Sequence, residues 1–242
     1  MGYFGGGKEN NGIIYSNQIT MFSKPEIVGF GKPSFYIIEI KPDEANNIIK
    51  TNHYSHKIYN GTYIHLGVMV SGELKGVLQY GYALNPASGA SVVPGTKNDG
   101  YLELNRMWIA DGVGDYPESR AISMSIKYIR NKYKKIKWIQ SFADERCRLF
   151  GIVYQACSFS YYGEHENTFW EIDGTVYHNI EMTVTETSKR YSKTSKKIQA
   201  RKDEATKMVL RQFRYIKFLD KHEKERCLLT EEPYPKPKKF SN

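Results

Sequence analysis

The segment between residues 101 and 163 constrains the fold more than any other, because strand and helix patterns alternate along it. Residues 101–109 form a short run dense in apolar and aromatic side chains, and a glycine-containing turn follows, which predicts a strand. A helix with one buried face is predicted next, because apolar residues recur at steps of four, three and four. These residues are Ile122, Ile126, Ile129 and Tyr133. Pro117 suits the first turn of that helix.

The same segment continues with a second short apolar strand over residues 137–143. Residues 151–158 are predicted to form a helix, and residues 159–162 return to extended chain. This order of elements resembles the core of a GNAT-type acyltransferase. The expected fold class is therefore α+β, with a GNAT-like mixed, mostly antiparallel central sheet and helices on both faces.

Five short runs, taken in their order along the chain, resemble the Mom family of Mu-like bacteriophages. The runs are ELNRMW (103–108), ESR (118–120), SFAD (141–144), GIVYQA (151–156) and PYPK (233–236). The resemblance covers residues 35–239. It implies a phage-encoded transferase that converts adenine in duplex DNA to an N6-carbamoylmethyl derivative and so protects the DNA from restriction.

The resemblance also points to two candidate catalytic residues. Residues 154–159, YQACSF, resemble the Y-x-x-x-G-F segment of GNAT enzymes, whose tyrosine often protonates the leaving group, so Tyr154 is the candidate general acid. A packed tyrosine with a satisfied hydroxyl is the alternative. Asp144 ends a predicted strand, where side chains face the ligand crevice of an open sheet, so it could orient or deprotonate the amine. Helix capping is the competing explanation.

The turn over residues 111–120 departs from the acyl-CoA pattern. GNAT enzymes usually carry Arg/Gln-x-x-Gly-x-Gly/Ala there, and its backbone amides bind pyrophosphate at a helix N-terminus. Here the turn holds Asp111, Asp115 and Glu118, which would repel pyrophosphate. Acetyl-CoA is therefore only one open choice, and a smaller group donor is another.

Residues near these motifs are candidates for binding the substrate or the donor. They are Asn105, Arg106, Ser119, Arg120 and Ser141. The planar fork of Arg106 suits a carboxylate or phosphate, although an ion pair with Glu103 or Asp111 is the alternative. Ser119 and Arg120 match the family pattern and could bind the donor at the helix start or simply cap the helix.

His53 and Tyr54 are candidate metal ligands. Imidazole and phenolate groups both bind iron, but a His-x-x-His spacing such as that of His53 and His56 is common by chance on surface loops. Members of the Mom family are described as iron-containing, and the His-Tyr pair resembles theirs. The resemblance therefore implies iron as a cofactor, with other ligands that the sequence does not identify.

The excess positive charge lies in the last quarter of the chain. Residues 183–242 carry 17 Lys and Arg against 8 Asp and Glu, which accounts for the whole net charge of +9. A basic helix is predicted over 195–212, followed by a late strand over 213–219 and an extended end over 231–242. Double-stranded DNA is the expected partner, with a solvated basic helix as the alternative. The candidate DNA-binding residues are Lys196, Lys197, Arg201 and Lys202.

Three segments are expected along the chain: an irregular glycine-rich N-terminus (1–34), a catalytic core (35–182) and a basic C-terminal region (183–242). Within the core we predict strands over 35–40, 63–70 and 74–82, a helix from residue 42, a long loop over 83–100, and a hairpin over 168–178.

The absence of a long apolar run and of a C-x-x-C pair favours a cytoplasmic protein in the bacterial host, with no membrane partner. Two other functions remain open. One is an N-acetyltransferase acting on a protein or small amine, and the other is a DNA-binding protein without catalysis.

Overall fold

The computed structural model describes residues 12–16, 25–147, 150–189 and 191–236. The strands are β1 (Ile13–Tyr15), β2 (Ile27–Lys32), β3 (Phe35–Glu39), β4 (Thr62–Val70), β5 (Glu73–Gly81), β6 (Tyr101–Ile109), β7 (Trp138–Asp144), β8 (Ser160–Ile172), β9 (Thr175–His178) and β10 (Thr206–Phe218). The α-helices are α1 (Pro42–Asn52), α2 (Pro117–Lys132), α3 (Ile152–Ala156), α4 (Asn179–Thr183), α5 (Lys193–Gln199) and α6 (Lys221–Glu225). No helix within these ranges is long and apolar enough to cross a membrane.

The described strands form one ten-stranded sheet in the order β1-β2-β3-β4-β5-β6-β7-β10-β8-β9. Neighbouring strands run antiparallel except for β6 and β7, which are parallel. Strands from all three expected segments take part in this sheet. The predicted α+β class and the mixed, mostly antiparallel sheet are confirmed.

Helices cover both faces of the sheet. Successive residues of a strand point to opposite faces, and Val77 and Leu78 on β5 show which helix lies on which side. Val77 packs with Ala45 and Ile49 of α1. Leu78 belongs to the main core, where Ile122 and other residues of α2 are buried. The face covered by α1 is called the α1 face below.

The expectation of irregular chain over residues 1–34 is wrong for the described part of that segment. β2 pairs with β3, and β1 pairs with β2. The glycines here permit close strand approach, since a Cβ on Gly29 would lie 2.3 Å from the carbonyl oxygen of Ile37. Residues 1–11 and 17–24 lie outside the described part.

The predicted basic helix over 195–212 is also wrong. α5 ends at Gln199, and β10 begins at Thr206. β10 lies between β7 and β8 and pairs with both along most of its length, so tertiary pairing overrides the local helical preference of its long side chains. The predicted late strand over 213–219 is the second half of β10, and residues 237–242 of the expected extended end lie outside the described residues.

Candidate active site

The parallel strands β6 and β7 pair for only three residues and then diverge. Tyr101 pairs with Trp138, and the last pair joins Glu103 to Gln140. Beyond it, β6 continues beside β5, and β7 continues beside β10. The divergent parts, residues 104–109 and 141–144, are called the fork.

A β-bulge lies at the start of the fork. On β6, Leu104 and Arg106 pair with successive residues of β5, so Asn105 between them has no pairing partner. The Asn105 side chain is nevertheless bonded: it donates to the carbonyl oxygen of Tyr82 (3.2 Å) and accepts from the hydroxyl of Thr62 (3.2 Å). The bulge changes the direction of the β6 backbone at the point where β6 and β7 separate.

Ser141 and Tyr154 both adjoin Tyr215 of β10. Ser141 is the register partner of Tyr215, and the Tyr154 ring lies 5.4 Å from the Tyr215 ring. The Ser141 side chain is 1% exposed, and its Oγ has no hydrogen-bond partner among the described residues. A buried hydroxyl without a partner is costly, so Ser141 is suited to bind a ligand that enters the fork.

Asp144 is held by Arg146. The Arg146 Nε lies 2.9 Å from Oδ1 and 3.0 Å from Oδ2 of Asp144, and its Nη2 donates to Oδ2 as well. The backbone N–H of Arg146 donates to Oδ1 at 2.9 Å. Asp144 is buried, so this ion pair and the local hydrogen bond satisfy its charge within the protein. The hydrogen bond from the Arg146 backbone N–H to Asp144 resembles the helix capping given as the alternative, because Arg146 lies in the first helical turn after β7.

Glu103 was not a sequence candidate, yet it lies at the last β6–β7 pair. Its carboxylate accepts from the side-chain amides of Gln140 (2.9 Å) and Asn105 (3.5 Å). Burial raises the pKa of Glu103 to about 7, against the lowering effect of these hydrogen bonds and of Arg106 and Arg214. Sequence patterns do not predict this raised pKa, because the burial that causes it depends on where β6 and β7 separate.

Arg214 on β10 is a second residue that sequence reasoning missed. It is the register partner of Phe142, and its guanidinium carbon lies 5.3 Å from the centre of the Phe142 ring. Its Nε is buried without a hydrogen-bond partner among the described residues. Burial lowers the pKa of Arg214, while Glu103 raises it.

Arg106 connects β6 to the loop after α1. Its Nε donates to the carbonyl oxygen of Lys57 (3.1 Å), and its Nη1 donates to that of Asn105 (2.6 Å). Burial lowers its pKa, and Tyr54 and Glu103 oppose this effect. An ion pair with Glu103 or Asp111, the alternative to a binding role, is not among these contacts, which are to backbone oxygens.

His53 and Tyr54 are brought together, but the described residues do not support an iron site beside them. The two ring centres lie 4.3 Å apart. The Nδ1 of His53 is 2.8 Å from the hydroxyl of Ser55, whose backbone N–H also donates to it (3.1 Å). Burial, together with Arg106 and Arg146, lowers the pKa of His53 to about 4. Nearby guanidinium groups disfavour a bound cation. Within the described ranges, no group of three His, Cys, Asp or Glu side chains could hold a metal ion.

The turn after β6 places its two candidates on the outside of α2. The Ser119 hydroxyl donates to the carbonyl oxygen of Tyr116 (3.1 Å), which is the residue before the helix. Arg120 is exposed, and its guanidinium carbon lies 4.1 Å from the centre of the Phe35 ring. The structure thus places both residues in local contacts at the start of α2.

The four basic candidates of the C-terminal region differ in their contacts. Lys196 and Lys197 are exposed on α5, and Lys202 is exposed in the turn before β10. Arg201 is engaged by two carboxylates: its Nη1 lies 2.7 Å from Asp173 and its Nη2 lies 2.6 Å from Glu204.

Comparison with known proteins identifies the family. The model of the Mom protein family matches residues 34–236. The chain belongs to the Mom family. Over 233 residues it is 44% identical to the methylcarbamoylase mom of Escherichia phage Mu, with 95% of each chain covered. The expected resemblance is confirmed, and this member of the family is a transferase.

Solved acetyltransferases are similar in fold to this Mom-family chain. The ribosomal-protein-S5-alanine acetyltransferase from Vibrio fischeri is 11% identical, with 80% of this chain and 97% of that chain covered, at a TM-score of 0.48. An acetyltransferase of the GNAT family from Streptococcus pneumoniae is also 11% identical, with 76% and 98% covered, at a TM-score of 0.42. Because both TM-scores are below 0.5, the fold class is assigned from the sheet and helices of this protein alone.

Proposed function

We propose that this protein is a phage-type DNA-modification enzyme that places a carbamoylmethyl group on N6 of adenine in duplex DNA. Membership of the Mom family is the observation that carries this proposal, since the phage Mu relative is named a methylcarbamoylase. The target amine of a duplex lies inside the base stack, so the adenine must be flipped out to reach the enzyme. The modified DNA is then protected from restriction in the cytoplasm of the bacterial host.

The fork between β6 and β7 is where the donor would bind. The buried Ser141 hydroxyl without a partner supports this location, as does the Tyr154 ring beside the same Tyr215 side chain. In the transfer, a bond forms between adenine N6 and the methylene carbon of the donor. The bond from that carbon to the leaving group breaks, and the electron pair departs with the leaving group. Tyr154 then protonates the leaving group.

The donor is a carbamoylmethyl compound with a leaving group on its methylene carbon. The turn between β6 and α2 argues against acetyl-CoA, because it presents the carboxylates of Asp111, Asp115 and Glu118 where pyrophosphate would bind. Arg106, Ser119 and Arg120 keep their proposed roles in binding the donor or the substrate. The described residues do not support iron at His53 and Tyr54, and no step above depends on it.

The basic C-terminal region would hold the DNA backbone. Lys196, Lys197 and Lys202 are exposed and can reach phosphates, whereas Arg201 must first leave Asp173 and Glu204. Phosphate contacts position a protein on DNA without reading its sequence.

Mass spectrometry of nucleosides from the DNA of expressing cells tests the proposed function. We expect a deoxyadenosine species heavier by one carbamoylmethyl group in cells with the wild type, and a loss of at least ~100-fold with Tyr154→Phe. Unmodified deoxyadenosine from cells that contain folded wild-type protein would contradict the proposal. Acetylation of a protein or small amine by such a preparation would favour the acetyltransferase alternative.

A further inference from the structure

Two carboxyl groups border the fork, and among the described residues Asp144 is paired with a guanidinium whereas Glu103 is bound by neutral amides. The transfer releases a proton from adenine N6, and a base near the fork must accept it. Asp144, the candidate from the sequence, accepts two hydrogen bonds through Oδ1 and two through Oδ2 from Arg146. Both oxygens of the Asp144 carboxylate are therefore already engaged by Arg146.

Glu103 has partners of a different kind. Its carboxylate oxygens accept from two neutral amides, those of Gln140 and Asn105, and not from a directly bound cation. Neutral donors hold the carboxylate in place without removing its affinity for a proton as strongly as a guanidinium does. Glu103 is half-buried, and its register partner Gly81 lies on the same side of β5 as Val77, so the Glu103 side chain is on the α1 face.

The position of Glu103 fits a role at the reacting amine. It stands at the last β6–β7 pair, one residue before the bulge at Asn105 and two before Arg106, a candidate substrate-binding residue. The charged or titratable groups that influence it are Arg106 on its own strand and Arg214 from β10, with Tyr101 also close by on β6. The two guanidinium groups favour the ionised form, but burial outweighs them, and the carboxyl group titrates near neutral pH.

We propose that the Glu103 carboxylate accepts the proton that adenine N6 loses as the bond from N6 to the methylene carbon forms. The proton moves from N6 to a Glu103 oxygen on the α1 face of the fork, while the leaving group takes its own proton from Tyr154 on the opposite face. Gln140 and Asn105 position the Glu103 carboxylate. Asp144 is then a positioning residue. Its ion pair fixes Arg146, whose guanidinium carbon lies 5.5 Å from the centre of the Tyr54 ring. This inference rests on the proposed function.

The test measures how the rate of adenine modification depends on pH. Purified full-length protein is incubated with plasmid DNA and clarified host lysate as the donor source, and modified deoxyadenosine is measured by mass spectrometry between pH 5.5 and 8.5. We expect the wild-type rate to rise with pH through about 7, where Glu103 loses its proton, and then to level off. Glu103→Gln should lower the rate by ~100-fold or more at pH 8 and abolish the rise.

Two variants separate a catalytic from a structural role. Asp144→Asn should keep the rise near pH 7 even if its rate is lower, and Glu73→Gln, at the exposed first residue of β5, should behave as the wild type. A Glu103→Gln variant that melts and binds DNA as the wild type but keeps the rate and its pH dependence would overturn the inference. Loss of the rise in Asp144→Asn would overturn it too, even if Glu103→Gln fails to fold. Absence of modified adenine with the wild type would instead reject the proposed function.

Discussion

The two ends of the fork each carry a carboxyl group, and the two groups have different partners. Asp144, at the end of β7, is paired with the Arg146 guanidinium. Glu103, where β6 and β7 separate, is bound by the amides of Gln140 and Asn105. The difference teaches that two carboxyl groups bordering the same fork can be held in different ways, one by a cation and one by neutral amides, and that only the cation provides a paired charge.

The largest effect on stability is expected from the ionisation of the Glu103 carboxyl group as the pH changes. Burial raises its pKa from the ordinary value of 4.5 to about 7, so the fold favours the protonated form. The stability this provides is complete below about pH 4.5 and is lost as the pH rises through about 7. Relative to Glu103→Gln, the free energy of unfolding of the wild type should fall by up to about 3 kcal/mol over this range.

Urea denaturation of both proteins at a series of pH values measures this difference, with Glu73→Gln as the control. A constant difference between the wild type and Glu103→Gln from pH 4.5 to 8 would show that Glu103 is an ordinary, solvated carboxyl group. The contrast with Asp144 would then disappear.

A smaller loss of stability is expected when Asp144 loses its partner. Arg146→Ala leaves a buried carboxylate with only the backbone N–H, and we expect a cost of about 2 kcal/mol in the free energy of unfolding. In the Asp144→Asn background the same change should cost much less, because no buried charge remains. Equal losses in the two backgrounds, measured by chemical denaturation, would mean that the Arg146–Asp144 pair contributes no specific stabilisation.

The smallest effect concerns two neighbouring basic residues, one exposed and the other held by carboxylates. Lys202 is exposed, whereas Arg201 is bound by Asp173 and Glu204. We expect Lys202→Ala to reduce the slope of log K against log salt by about 1 for duplex DNA, and Arg201→Ala to reduce it less. Fluorescence anisotropy titrations at several salt concentrations measure both slopes. A larger change for Arg201→Ala would show that its ion pairs open when DNA binds.

Much of the fold could be predicted from local patterns. The strand at residues 101–109 and the helix that begins at Pro117 have the predicted positions, because apolar periodicity directly reflects which face is buried. β10 was missed in part because its long polar side chains also suit a helix, and only pairing with β7 and β8 selects the strand. β2 was missed because its glycines are typical of irregular chain, while here they allow close contact with β3.

The candidate site could be predicted less completely. Family motifs pointed to Ser141, Asp144 and Tyr154, which lie on or next to the fork. Glu103 was considered only as an ion-pair partner, because its environment depends on the separation of two strands far apart in sequence. The role of Arg146 was equally hidden, since its bidentate contact with Asp144 requires the turn after β7 to fold back.

The measurement that tests the account most directly is mass spectrometry of nucleosides from the DNA of cells that express the wild type, Glu103→Gln or Asp144→Asn at equal levels of folded protein. We expect abundant carbamoylmethyl-deoxyadenosine with the wild type, a reduced but clear amount with Asp144→Asn, and almost none with Glu103→Gln. Full modification with Glu103→Gln, together with none with Asp144→Asn, would contradict the assignment of the proton acceptor at the fork.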